Sequence, residues 1–245
     1  MKRVAIIQAR INSSRLPGKV LMEIGGRSML ARVIQRVRRA NLVDEVLVAT
    51  TPQHADDPIV SEARTLHAGV YRGDEGDVLT RYYEAATSAQ AELVIRITAD
   101  CPLVDPALID EVIRRALDQY PDVDYATNVL HRTYPRGLDV EVAPFRTLEQ
   151  VWREARQPYQ RIHVFPYVRE HPERFRLVNV AQARDDSRMR WTVDTADDLE
   201  FIRAVYQRMG NDETVSWHEV ISLLRREPSL LGLNRHVRQK ALQEG

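Results

Sequence analysis

The sequence predicts an α/β domain built on a mixed, mostly parallel central sheet with helices on both sides. Three observations lead there. Short apolar runs of strand length alternate with longer segments of helical periodicity. The early runs are apolar almost throughout, as strands buried on both faces are. The later strand-like segments lose the regular alternation, so strand directions mix in the second half. A length of 245 residues suits one large domain. With no internal repeat and no Gly/Ser-rich linker, residues 1–245 read as a single unit.

The elements follow in order. Val4 to Ala9 is a buried strand, and a polar loop carrying Pro17 and Gly18 comes after it. From Ser28, Met29, Leu30, Val33, Ile34 and Val37 recur at helical spacing, and Glu45 to Thr50 reads as the next strand. A helix is expected over Asp57 to Leu66, a short strand over Gly69 to Tyr71, a helix over Val78 to Ala86 and a strong strand over Leu93 to Thr98. Asp105 before Pro106 fits an N-cap and first-turn proline, opening a helix that carries Leu108, Val112, Ile113 and Leu117. A strand follows at Val123 to Thr127. Gly137 to Val142 alternates polar with apolar, as a half-exposed strand does; Phe145 to Ala155 reads as helix and Phe175 to Val180 as strand. Ala196 to Met209 is an amphipathic helix, and Ser216 with Glu219 forms a capping box for another. Residues after about 226 read as a weakly patterned, basic tail.

Charge and cysteine usage exclude several function classes. Thirty-five basic side chains balance thirty-five acidic ones, so no overall field draws the chain to nucleic acid or to an anionic membrane. Arg32, Arg36 and Arg39 fall at helical spacing and read as the solvated face of a helix. Cys101 is the only cysteine, so no intramolecular disulfide forms, and the cytoplasm is the expected compartment. The N-terminal apolar run is too short for a signal peptide, and no stretch approaches the ~20 residues that span a bilayer. The seven histidines show no paired metal spacing, and no G-x-S-x-G motif occurs.

The most informative segment is Gln8 to Lys19 (QARINSSRLPGK), directly after the first strand. It crowds Arg10, Arg15 and Lys19 together with Ser13, Ser14 and a Pro-Gly turn. Ligands of parallel α/β sheets bind beyond the C-terminal ends of the strands, where such a loop can grip an anion such as a triphosphate. Its spacing matches neither GxxxxGK[ST] nor GxGxxG. An exposed basic turn is the alternative reading; on the anion-binding reading too, Arg15 and Lys19 are expected to be exposed loop cations that contribute little to the core.

Ala9-Arg10 with Ser14 to Lys19 resembles the nucleotide-binding loop of the cytidylyltransferases, a family that includes CMP-Kdo synthetases and the spore-coat polysaccharide type. Further blocks resemble the same subgroup in the same order: Tyr71-Arg72-Gly73 leading to Asp77-Val78-Leu79 and Arg81-Tyr82-Tyr83, Arg96 to Leu103, Gly137 to Val142, and Val193 to Leu199. The resemblance implies a nucleotide-diphospho-sugar transferase-like three-layer fold, CTP as donor, release of pyrophosphate and Mg²⁺ as cofactor. On this likeness Gln8, Ala9, Arg10, Ser14, Lys19, Arg72 and Thr98 bind the nucleotide, Arg10, Arg15, Lys19 and Asp100 are catalytic, and Asp100 with Asp194 holds the metal.

The residues suit that chemistry. Attack on an α-phosphorus needs cations on the triphosphate and a carboxylate-held metal, and Mg²⁺ takes one or two protein carboxylates while phosphates and water fill its octahedron. Asp100 and Asp194 each close a predicted strand. Alternatives stand beside both: Asp100 as a turn aspartate before Cys101-Pro102, and Asp194 as the N-cap of the next helix, with Asp197 as a neighbouring first-turn or supporting carboxylate. Arg96, inside an apolar strand, is expected to order carboxylates or phosphates. Cys101 reads as a small buried residue.

On the acceptor side, Arg161 to Tyr167 departs from the family pattern, which usually has an acidic residue where Ile162 stands and a threonine where Phe165 stands. The acceptor therefore stays open. Arg136, in Tyr134 to Asp139, and His163 are the expected contacts for an anionic small molecule, with a surface arginine beside a turn as the alternative. A metal-dependent glycosyltransferase and a non-catalytic nucleotide-binding protein are the rival functions. The first usually carries an Asp-x-Asp pair, whereas Asp100 precedes Cys101 and Pro102. A homodimer is compatible with the sequence, which does not define the quaternary state.

Overall fold

A computed structural model describes residues 1–241. Strand β1 (Arg3–Gln8) lies in the middle of the sheet, which explains why it is apolar on both sides: Ala5 and Ile7 enter one core, Val4 and Ile6 the other. A hairpin of β2 (Glu23–Ile24) and β3 (Arg27–Ser28) leads into α1 (Met29–Arg38), capped by the Ser28 hydroxyl, which accepts from the Ala31 N–H. Then come β4 (Glu45–Thr50), α2 (Asp57–Thr65), β5 (Gly69–Arg72), α3 (Val78–Ser88), β6 (Leu93–Thr98) and α4 (Pro106–Leu117). The second half runs β7 (Tyr125–Thr127), β8 (Glu141–Pro144), α5 (Phe145–Glu154), α6 (Pro158–His163), α7 (Pro166–Glu170), β9 (Leu177–Asn179), α8 (Ala196–Arg208) and α9 (Trp217–Arg226).

The seven strands of the main sheet lie in the order β5-β4-β1-β6-β8-β7-β9. β5, β4, β1 and β6 are parallel, β8 runs antiparallel between β6 and β7, and β9 pairs parallel with β7. This is the expected mixed, mostly parallel sheet. One core packs α1, α2, α4, α8 and α9 against one face; α3, α5, α6 and α7 cover the other. No helix among the described residues is long and apolar enough to cross a membrane.

Four expectations are corrected. Arg32 and Arg36 are not a solvated stripe: each is 1% exposed. Arg32 donates to the carbonyls of Ile24, Gly25 and Asn211, and Arg36 to those of Val104, Glu213 and Val215. Two guanidiniums thus satisfy loop carbonyls that the sheet and helices leave unpaired, and they bind the C-terminal part of the chain to α1. Gly137 to Val142 is mostly buried rather than half-exposed, because the ladder begins only at Glu141 and Asp139 alone among these residues keeps partial exposure. Asp194 closes no strand; it lies in an irregular segment held by the bond from the Val193 N–H to the Asp100 carbonyl. Residues 227–241 are more than a weakly patterned, basic tail, and the last four residues lie outside the described ones. Leu230 packs into the core, and Asn234, 2% exposed, donates to the Arg190 carbonyl and to Asp198 Oδ1.

Candidate active site

The site lies beyond the C-terminal ends of β1 and β6, where their register pairs Gln8 with Thr98. After β1 the chain turns through the basic loop, and Gly18, with φ 73, adopts the left-handed conformation that glycine takes without steric cost. Its N–H donates to the Ile11 carbonyl, closing the loop on itself. The next residue enters a short 3₁₀ turn, Lys19–Leu21, that carries Lys19 inward.

Lys19 is therefore not an exposed loop cation. It is 7% exposed, and its Nζ donates to Asp100 Oδ2 at 2.9 Å, Asp194 Oδ1 at 2.9 Å and the Val193 carbonyl at 2.7 Å. Burial alone lowers its pKa, but Asp100 and Asp194 more than offset this and the net shift is upward. Burial likewise works to raise Asp100, yet the Lys19 ammonium and the hydrogen bonds from Thr98, Lys19 and Cys101 hold it below its usual range. The Thr98 hydroxyl donates to Asp100 Oδ1 at 2.6 Å. Arg15 reaches Asp194 Oδ2 at 2.9 Å, and Arg190 donates to the same oxygen at 2.7 Å. One ammonium, two guanidiniums and two carboxylates thus converge from loop and irregular segments separated by up to 179 residues.

A cavity of about 260 Å³ opens on this cluster, lined by Gln8, Ala9, Arg10, Ser14, Arg15, Lys19, Thr98, Asp100, His163 and Asp194 among others. A second, of about 310 Å³, shares Gln8, Arg15, Thr98, Asp100, His163 and Asp194 with it and continues toward Arg96, Arg132, Arg136 and Arg169. In the wall of the second cavity, Arg96 pairs with Glu141, which also accepts from the Tyr125 hydroxyl, while Arg96 Nη2 donates to Gln8 Oε1 at 3.0 Å. Arg96 orders a carboxylate, as its burial required. Arg132 clamps Asp139 with two hydrogen bonds. Burial, with the neighbouring Arg132 adding to it, lowers the pKa of Arg136.

Of the expected residues, only Arg72 stays outside both cavities. At the end of edge strand β5 it donates to the Thr51 and Gln53 carbonyls and pairs with Asp57. Arg136 lines the second cavity and His163 lines both; the residue after His163, buried Val164, has φ 72, a strained conformation for a β-branched side chain. Cys101 is a buried free thiol, raised well above its usual pKa first by burial and then by Asp100. Asp194 is not the N-cap of α8: Thr195 is. Asp197 points away and meets His236 at 2.9 Å.

The supporting carboxylate is Asp198, which the sequence reading missed. Fully buried, it accepts from Arg190 and from the backbone N–H groups of Asp194 and Thr195. Thr195-x-x-Asp198 is a capping-box spacing, and that signal could have found it. Lys240 and Gln239 were missed as well. Gln239 Oε1 accepts from Arg190 Nη1 at 2.5 Å, and Lys240 lines both cavities.

Residues 4–219 match the model of a family described as Cytidylyltransferase. This chain belongs to the cytidylyltransferase family. Its relatives include the spore coat polysaccharide biosynthesis protein SpsF of Bacillus subtilis, 36% identical over 91% of this chain and 94% of that protein. A solved cytidylyltransferase from Leptospira borgpetersenii superimposes with a TM-score of 0.92 at 31% identity, covering 98% of this chain and all of the other. A CMP:2-keto-3-deoxy-manno-octonic acid synthetase solved with CTP has a TM-score of 0.65 at 21% identity over 85% of this chain and all of its own, which is a likeness of fold. The basic loop, Asp100 and Asp194 of this cytidylyltransferase all lie inside the matched span, whereas Asn234, Gln239 and Lys240 lie beyond it.

Proposed function

We propose that this cytidylyltransferase transfers CMP from CTP to an anionic, sugar-like or small phosphorylated acceptor, with release of pyrophosphate and with Mg²⁺ as cofactor. The observation that carries the reading is the convergence of Lys19, Arg15, Asp100 and Asp194 at the junction of two continuous cavities, both rich in cations. An α-phosphorus at the junction is within reach of an acceptor hydroxyl from the second cavity. The acceptor oxygen forms the new P–O bond as the bond to pyrophosphate breaks, with no covalent enzyme intermediate.

The residues present fit a metal. Asp100 and Asp194 each place an oxygen 2.9 Å from one ammonium, so both carboxylates already face a common cation position. Among the described residues no third carboxylate, imidazole or thiolate joins them. Two carboxylates are the set that Mg²⁺ uses when phosphates and water complete its shell. Bound there, the ion supplies charge neutralisation for the triphosphate. Arg10 and Ser14 hold the phosphates, Gln8, Ala9 and Thr98 form the floor, and Arg136 with His163 contacts the acceptor; Lys19, whose three N–H groups go to Asp100, Asp194 and the Val193 carbonyl, is assigned to the nucleotide by family likeness alone. Arg72 is assigned to the nucleotide by family likeness alone, since it lines neither cavity.

The test is a thermal-shift series with CTP, ATP, GTP and UTP in the presence of Mg²⁺, followed by a screen of acid sugars and small phosphates for pyrophosphate release. CTP is expected to raise the melting temperature most; a ligand at ~100 times its Kd adds about 2.7 kcal/mol. Equal shifts with all four nucleotides contradict the base assignment. No shift with any of them contradicts the nucleotide site.

A further inference from the structure

Among the three arginines that are 1% exposed, Arg81 stands apart. Arg32 and Arg36 each satisfy three carbonyl groups. Arg81, on α3 and 1% exposed, donates from Nη1 to the Asp74 carbonyl at 2.8 Å, while its buried Nε has no partner among the described residues. No carboxylate among the described residues forms an ion pair with it. It lines the first cavity together with Arg10, a second cation. Burial lowers its pKa, and Arg10 adds to that.

A buried charge without a direct ion-pair partner is costly, so a chain that keeps one must recover the cost elsewhere. The backbone makes room for it. A Cβ on Gly73 would sit 3.1 Å from Arg81 Cγ, 3.3 Å from its Cβ and 3.0 Å from the Tyr71 ring, so glycine there lets the arginine stem pass into the cavity. Among the described residues its one hydrogen bond goes to the Asp74 carbonyl, and the Asp56 and Asp74 carboxylates act on it only through space, without forming an ion pair.

We propose that Arg81 is a phosphate ligand of the bound nucleotide, and that the triphosphate supplies the direct ion-pair partner it lacks among the described residues. The proposal rests on the nucleotide reading of the first cavity and extends it to a residue of α3, outside the basic loop.

The experiment compares the unaltered chain with Arg81→Met and Arg81→Lys by calorimetric titration of CTP and, separately, of inorganic tripolyphosphate, with ligand-free melting curves for each. Methionine fills the same passage without a charge. Replacing an uncompensated buried charge by an apolar chain is neutral or stabilising, so the ligand-free melting temperature of Arg81→Met is expected to stay level or rise. Its CTP dissociation constant is expected to rise about tenfold or more, the loss of one charge-assisted contact, and tripolyphosphate is expected to weaken in parallel. A structural arginine predicts the reverse, a lowered melting temperature with unchanged binding, and that result overturns the proposal. Weakened CTP with unaffected tripolyphosphate also overturns it, by placing Arg81 on the base or ribose. Should Arg81→Met not fold, Arg81→Lys reads the same two constants; a lysine cannot reproduce the fork of the guanidinium, and unchanged constants again refute the contact. An unaltered chain that binds neither ligand overturns the nucleotide reading itself, a failure distinct from binding that is indifferent to Arg81.

Discussion

Lys19→Met removes the ammonium that joins the two carboxylates and keeps most of the buried stem. Asp194 retains Arg15 and Arg190 as partners, so the loss falls on Asp100, left with the hydroxyl of Thr98 and the thiol of Cys101. Breaking a buried pair by removing one partner costs about 3–5 kcal/mol. The Asp100 and Asp194 side chains keep 25% and 14% exposure, which places the cost near the lower end, about 3 kcal/mol. For a domain of this size each kcal/mol moves Tm by about 2–4 °C, so the metal-free variant should melt roughly 6–12 °C below the unaltered chain. Differential scanning calorimetry in EDTA measures the deficit. A repeat in millimolar Mg²⁺ asks whether a divalent ion takes the vacated charge position: the variant is expected to gain more from Mg²⁺ than the unaltered chain does. An unchanged Tm in EDTA refutes the claim that Lys19 is a buried structural cation as well as a site residue. A full deficit that Mg²⁺ leaves untouched refutes the shared cation position.

The remaining variants separate function from folding. Arg15→Ala, at a partly exposed guanidinium, should leave Tm within a few degrees while pyrophosphate release falls by roughly 1.5–3 kcal/mol in kcat/KM, read by steady-state kinetics. Arg136→Ala should raise KM for the acceptor and leave KM for CTP unchanged; equal effects on both substrates contradict its assignment to the second cavity. Asn234→Ala leaves the Arg190 carbonyl and Asp198 Oδ1 short of a donor and should cost about 1–3 kcal/mol, visible as a lower Tm. For acid stability, the Arg3 guanidinium holds the Asp44 carboxyl down to about 2. A depressed carboxylate stabilises above its unfolded pKa, and that contribution disappears as pH falls through the folded one. The Tm gap between the unaltered chain and Asp44→Asn should therefore be full at neutral pH and close between about pH 4 and 2.

Much of the architecture was legible because the signals are local. Leu93–Thr98 and Glu45–Thr50 are mainly apolar runs, the first interrupted only by Arg96, and the chain folds them as β6 and β4 with those same ends. Asp105 before Pro106 and Ser216 before Glu219 carry their caps within three residues. The misread residues have distant partners. Arg32 and Arg36 satisfy carbonyls as far as 179 residues away, so helical spacing alone shows a charged stripe and hides its burial. Lys19 looks like a loop cation until Asp194, 175 residues later, is brought to it. Asp100 and Asp194 were found as a pair through family likeness, and the irregular segment that carries Asp194 offers no periodic pattern of its own. Asn234 and Lys240 sit in a stretch whose few apolar residues, Leu230 among them, are too sparse to announce a return to the site.

The most direct test of the metal site is Mg²⁺-dependent pyrophosphate release from CTP, measured for Asp100→Asn, Asp194→Asn and the double variant, with Asp197→Asn as control. Each single change keeps the shape and removes one negative charge. Turnover should collapse in both while the fold persists, and the double variant should be little worse than the poorer single one, because residues acting on one ion do not add. Asp197, exposed and turned toward His236, should cost at most about 1 kcal/mol of stability and leave metal dependence intact. Near-normal Mg²⁺-dependent release by either Asp100→Asn or Asp194→Asn, or a folded but inactive Asp197→Asn, contradicts the account.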